Sequence, residues 1–107
     1  MYVKPLFTPG HTKGSTCYQI ADNLFSGDTL FIEGCGLCKG YGASPEAMYY
    51  SLKKLVKCLS QDTRIYPGHS YGELLGVFFD YLLNNNIYLN IINLEQFVAF
   101  RDAKRTG

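Results

Sequence analysis

The chain has 107 residues, 47% of them hydrophobic, with nine Tyr and seven Phe, and a formal net charge of +1. That composition excludes a disordered segment, and a chain of this length can bury a core of its own as one domain spanning residues 1–107. No block of like charges occurs, which argues against a nucleic-acid surface or an acidic tail.

The first residues, MYVKPLFTPGHT, lack the long apolar region of a secretory signal, and no apolar run approaches the ~18 residues of a membrane span. Membrane partners are therefore not expected. Cys17, Cys35, Cys38 and Cys58 are enough for two disulfides. Without a secretory context, reduced thiols and a cytoplasmic location are the expectation.

Residues 2–8 alternate weakly and stop at Pro9-Gly10, which predicts a strand running into a tight turn. Residues 16–21 and Leu24-Phe25-Ser26 predict a hairpin turned at Asp22-Asn23. The brief apolar run Leu30-Phe31-Ile32 leads into GCGLCKGYG (34–42), whose glycines mark an irregular loop. Ser44-Pro45-Glu46 is a helix start, with a hydroxyl N-cap, Pro at the first helical position and an acid in the first turn. Met48, Leu52, Leu55, Val56 and Leu59 then form the stripe of a helix packed on a sheet. Residues 63–66 predict a strand broken at Pro67-Gly68, and residues 73–83 a helix ended by Asn84-Asn85-Asn86. A last helix is predicted from Asn93, with Gln96 as its capping-box partner, fraying near Arg105. No repeat and no linker interrupts this order, so the fold class is mixed α/β.

A single pattern recurs three times. A predicted strand ends, a glycine turn follows, and a metal-capable side chain stands there: Pro9-Gly10-His11, Ser26-Gly27-Asp28 and Pro67-Gly68-His69. Loops at strand ends are where rigid scaffolds place binding groups, and His and Asp are usual ligands of zinc and similar ions. Each turn has a bland reading, a capped turn residue or an Asx turn at Asp28. Taken together they favour metal, because both histidines of the chain lie in a Pro-Gly-His tripeptide.

TPGHTKGS (8–15), SGDTLF (26–31) and YPGHSYGE (66–73) resemble the three later motifs of the metallo-β-lactamase fold in its glyoxalase II-like hydrolase branch. The resemblance spans about residues 5–73, and LFIEGCGLC (30–38) further resembles zinc-dependent hydrolases of bacterial polyketide assembly lines. It implies half of an αββα sandwich, a mixed sheet with helices on one face, and a zinc site of one or two ions. It also implies that His11 completes the first ion's histidine set, that Asp28 bridges, and that His69 ligates the second ion. The implied reaction is hydrolysis of a small-molecule or carrier-bound acyl-thioester by water activated at the metal.

The same family carries an earlier His-x-His-x-Asp-His segment that supplies four ligands, and no such segment occurs in these residues. A catalytic zinc keeps about three protein ligands and an open position, so this chain alone is expected to be inactive. Half a sandwich also leaves a sheet face to be covered, by a second copy or by the missing N-terminal half.

Several further residues have two readings. Cys35-Gly-Leu-Cys38 invites a redox role, but glycines rather than a helix follow it, so a loop lining a substrate cleft is favoured over redox catalysis or a reversible bond. Tyr71, just after the third motif, is packing or a neighbour of the site. Arg101 and Lys104 share a helix face, and are either solvated or, by analogy with glyoxalase II relatives, hold an anionic thiol carrier. Tyr49, Tyr50, Phe78, Phe79 and Tyr81 are expected in the core. Against the hydrolase stand two other functions: a non-catalytic fragment or interaction module that self-associates through its exposed face, and a small cysteine redox protein.

Overall fold

A computed structural model describes residues 2–38, 40, 42–69 and 75–106, the side chains of 102–106 excepted. Five strands form one sheet in the order β1 (Val3–Phe7), β2 (Thr16–Ile20), β3 (Asn23–Gly27), β4 (Arg64–Pro67), β5 (Val77–Phe78). All neighbours are antiparallel except β3 and β4, which run parallel and are joined by the crossover helix α1 (Pro45–Cys58). Helices α2 (Phe79–Asn85), α3 (Ile87–Asn90) and α4 (Leu94–Thr106) complete the chain. None of the helices is long and apolar enough to cross a membrane, among the described residues.

Strand alternation decides which face is covered. Leu6, Cys17, Leu24 and Ile65 point one way and meet Met48, Leu52 and Leu55 of α1, with Phe79, Leu82 and Phe97 from the later helices. Each large apolar side chain removed from water contributes about 1.5–3 kcal/mol, so this layer carries the fold. The opposite face keeps Val3, Phe7, Tyr18, Phe25 and Phe78 exposed. Pro5, Tyr18, Phe25 and Tyr66 stand side by side across four strands, and the rings of Phe25 and Tyr66 stack at 5.3 Å.

The helix start is built as its residues predict: Ser44 Oγ accepts from the Ala47 amide at 3.1 Å, and Pro45 opens α1. The loop after β1 lies against this helix. Gly10 has φ +149°, and a Cβ there would stand 2.6 Å from the Met48 backbone, so only glycine permits the contact. The Ser44 amide donates to the Gly10 carbonyl across the same junction at 2.8 Å.

Four expectations need correction. The hairpin turns at Ala21-Asp22 instead of Asp22-Asn23, with Ala21 at φ +51°. Residues 73–83 do not form one helix: 73 and 74 lie outside the described residues, and Val77-Phe78 instead adds a short strand to β4. That pairing satisfies backbone groups which β4 would otherwise present at an open edge. Asn86 does end α2, but it also caps the unforeseen α3, its Oδ1 accepting from the Tyr88 amide at 2.9 Å. Finally, Val56 is exposed and Ser51 takes its place in the buried stripe, while Tyr50, Phe78 and Tyr81 face solvent and Phe79 is core.

Candidate metal centre

β1 and β3 both run antiparallel to β2, and β4 is parallel to β3, so the carboxyl ends of β1, β3 and β4 share one edge of the sheet. This is where α/β sheets place ligands. The three glycine turns therefore converge, which local sequence could suggest but not establish. The turns are tied to each other, the Gly68 amide donating to the Gly27 carbonyl at 2.8 Å.

Asp28 is the meeting point. His69 Nδ1 lies 2.8 Å from Asp28 Oδ1, and His11 Nε2 lies 3.7 Å from Asp28 Oδ2. His11 Nδ1 is 2.7 Å from the Leu37 carbonyl. A carbonyl only accepts, so Nδ1 carries a proton, and in the neutral ring Nε2 presents its lone pair toward the carboxylate. Likewise a carboxylate only accepts, so His69 donates from Nδ1. With the ring neutral, an imidazole nitrogen and a carboxylate oxygen facing each other across 3.7 Å are two electron-rich atoms with nothing to share. A cation between them resolves that opposition, and the spacing is close to that of two donors on one zinc ion with bonds of about 2.0–2.2 Å.

The donor types and the His11–Asp28 spacing thus fit zinc. The number of donors does not complete a site: no group of three His, Cys, Asp or Glu side chains is disposed to hold one ion among the described residues. His69 meets the other carboxylate oxygen as a hydrogen-bond donor, so each histidine addresses its own side of Asp28.

The loop 30–38 closes the site from above. Leu30 and Cys35 bridge, the Phe31 amide donates to the Gly34 carbonyl at 2.9 Å, and the Gly36 amide to the Thr29 carbonyl at 3.2 Å. Gly36 threads between the ligand turns: a Cβ on it would collide with the Asp28 carbonyl and come within 3.0 Å of the His11 side chain. Beneath the loop, His11, Asp28 and His69 open into a cavity of about 810 Å³ whose far wall includes Cys35, Tyr88 and Arg101.

Arg101 is buried, with 5% of its surface exposed, and so is not a solvated helix residue. Its Nη1 donates to the Cys35 carbonyl at 3.0 Å, and its guanidinium carbon stands 4.8 Å from the centre of the Tyr88 ring. Its Nε has no hydrogen-bond partner among the described residues. The side chain of Lys104, and Tyr71 altogether, lie outside the described residues.

Cys17, Cys35, Cys38 and Cys58 are free thiols in this structure. Cys35 and Cys38 are buried, Cys35 on the cavity wall. Burial pushes the Cys35 thiol up to about 12, against the opposing hydrogen bond from Arg101. Redox cysteines need the reverse, a thiol pKa lowered by cations or a helix N-terminus, so the surroundings of Cys35 do not favour the redox function.

Sequence reading missed Asn86. It is wholly buried, and its amide nitrogen lies 3.0, 3.3 and 3.1 Å from the carbonyls of Phe31, Ile32 and Gly34. It holds the loop from the side opposite the ligands, across more than fifty residues of sequence, and the run Asn84-Asn85-Asn86 signals only a helix end.

Residues 1–69 match the model of the metallo-beta-lactamase superfamily. A probable polyketide biosynthesis zinc-dependent hydrolase, BaeB of Bacillus velezensis, is 46% identical over 102 residues, covering 95% of this chain and 45% of BaeB. A hydroxyacylglutathione hydrolase of Brucella ovis is 46% identical over 73 residues, covering 66% of this chain and 27% of that protein. The crystal structure of ETHE1 from Myxococcus xanthus superposes with a TM-score of 0.86 at 28% identity, covering 94% of this chain and 44% of the other. The chain thus spans less than half the length of these relatives. With the family's fold on the sheet and three of its motifs at one edge, the chain belongs to the metallo-beta-lactamase superfamily.

Proposed function

We propose that this chain is the ligand-bearing C-terminal portion of a zinc-dependent hydrolase that acts on acyl-thioesters in the cytoplasm. One observation carries the reading: the Asp28 carboxylate stands between His11 Nε2 and His69 Nδ1 at the mouth of a cavity. His11, Asp28 and His69 would hold zinc, one or two ions in the complete site. Bound there, zinc would supply Lewis acidity and a water acidic enough to react at neutral pH. The Leu37 carbonyl keeps His11 in the tautomer that offers Nε2, and the Pro-Gly turns hold the three side chains on rigid strand ends.

The cavity, lined by Phe31, Leu37 and Tyr88 beside Arg101, suits an acyl chain with an anionic carrier. Arg101, on the cavity wall, contributes the cation for that carrier. Cys35 shapes the wall, and Cys38 is buried in the same loop. The names of the relatives, a polyketide hydrolase and a hydroxyacylglutathione hydrolase, support hydrolysis and agree with a thioester.

The test is metal content and thiol release from acyl-thioesters in the intact protein that carries these residues. His11→Ala is expected to lose zinc and to cut kcat/KM at least about 100-fold, since even outer partners of metal ligands cost about 10–100-fold. Retention of both zinc and activity in that variant refutes the reading. The 107-residue chain on its own is expected to give no turnover.

The uncovered aromatic face supports a second reading, an interaction module. Its occupant is either a second copy or the half-sandwich that the longer relatives possess. Sedimentation at tens of micromolar protein distinguishes them: dimers are expected of the isolated chain, and a monomer removes the self-association.

A further inference from the structure

We infer that Arg101 is a positioning residue: by holding the Cys35 carbonyl it fixes the loop whose Leu37 carbonyl decides which nitrogen of His11 carries the proton. The contacts run in one line. Arg101 Nη1 donates to the Cys35 carbonyl at 3.0 Å and lies 3.5 Å from Cys35 Sγ. Gly36 follows, clamped between Asp28 and His11, with its amide on the Thr29 carbonyl. Leu37 comes next, and its carbonyl accepts from His11 Nδ1 at 2.7 Å. A loop held this tightly on both sides transmits a shift at Cys35 to Leu37 and leaves little freedom to absorb it.

Burial of the guanidinium makes a merely space-filling role unattractive. Among the described residues the ion pairs are the two at Asp28, and neither involves Arg101. Taking a charge out of water without an ionic partner among those residues is costly, and a hydrocarbon side chain would pack against Tyr88 more cheaply. What a hydrocarbon cannot supply is a directed N–H for the Cys35 carbonyl. Asn86 pins the other limb, at residues 31–34, so the two side chains divide the loop between them. The limb that reaches His11 is the one that Arg101 holds.

The consequence for zinc rests on the ligand role proposed for His11, but the inference itself can be read on the metal-free chain. Long-range proton–nitrogen spectra of the histidine-labelled 107-residue chain, taken at alkaline pH, report the tautomer of each ring. The parent is expected to hold His11 in the Nδ1–H form. Arg101→Met is expected to move the His11 tautomer ratio at least threefold toward the other form, while His69 stays unchanged. Arg101→Lys, which retains a donor, is expected to restore most of the parent ratio.

If the Met variant does not fold, Arg101→Gln replaces it. The Gln amide ends where the arginine Nε stands and cannot span to Cys35, so the same shift is expected. A folded Met or Gln variant with the parent ratio at His11 overturns the inference, and so does an equal shift at His69, which marks a general loosening. Zinc titration of the intact protein carrying the same substitutions tests the other reading separately. A weakening of about 10-fold that follows the tautomer is expected. An intact protein that keeps its zinc in His11→Ala counts against the ligand role and does not touch the tautomer result.

Discussion

Asn86→Asp is the sharpest probe of how the site loop is held. The aspartate keeps the side-chain oxygen that caps α3 on the Tyr88 amide, so capping alone predicts a tolerated change. It removes both amide hydrogens, however, and turns an acceptor toward the carbonyls of Phe31, Ile32 and Gly34. Two of those carbonyls then lose their donor, at about 1–3 kcal/mol each where water does not reach. The expected loss is about 3 kcal/mol, a large share of the ~5–15 kcal/mol that holds a domain of this kind. With a urea slope of about 2 kcal/mol/M, the unfolding midpoint falls by about 1.5 M. Asn86→Ala, which loses the cap as well, is expected to cost at least as much, and exposed Asn84→Ala no more than about 0.5 kcal/mol. Circular dichroism during urea titration gives all three. If Asn86→Asp stays within 1 kcal/mol of the parent, the buried amide is not what holds the loop.

Other outcomes follow from the same geometry. Gly36→Ala forces its Cβ against the Asp28 carbonyl and the His11 ring, so a loss of about 2–4 kcal/mol and a shifted His11 resonance are expected in the same titration and in proton spectra. Cys35 has its thiol raised from 9.0 to about 12, so the unfolded chain sheds that proton first as pH rises. Stability contributed below pH 9 is therefore lost between pH 9 and 12, at about 1.4 kcal/mol per pH unit from this group, and thermal melts of Cys35→Ala should flatten that slope. Phe25→Ser on the uncovered face is expected to leave the chain folded but to weaken its self-association in sedimentation at least about 10-fold; an unchanged dimer would place the contact elsewhere.

Much of the fold was legible because it is local. The hairpin of β2 and β3, the capped start of α1 and the Asn93 cap of α4 follow from residues a few positions apart, and Asn93 Oδ1 does accept from the Gln96 amide at 3.1 Å. The three ligand turns were legible as strand ends, and the shared edge follows once the strand order is known. What was illegible depends on distant partners. Val77-Phe78 reads as part of a helix until β4 offers its edge. Arg101 reads as solvent-facing until Cys35, 66 residues earlier, is brought beneath it. Tyr50, Phe78 and Tyr81 read as core by composition alone, which carries no information about which face a sheet leaves bare.

The parallel pairing of β3 with β4 also sets an order of events in time. Asp28 and His69 stand 41 residues apart, and the crossover through α1 must close before they meet. Closing so long a loop is an entropic toll that the β2–β3 hairpin does not face, so the hairpin is expected to form on a faster timescale. The centre is then a late product of folding, assembled only after the sheet has committed to its topology. Pulsed hydrogen exchange makes this visible: protection at the amides of β2 should precede that of Gly68, whose partner is the Gly27 carbonyl, and simultaneous protection would contradict it.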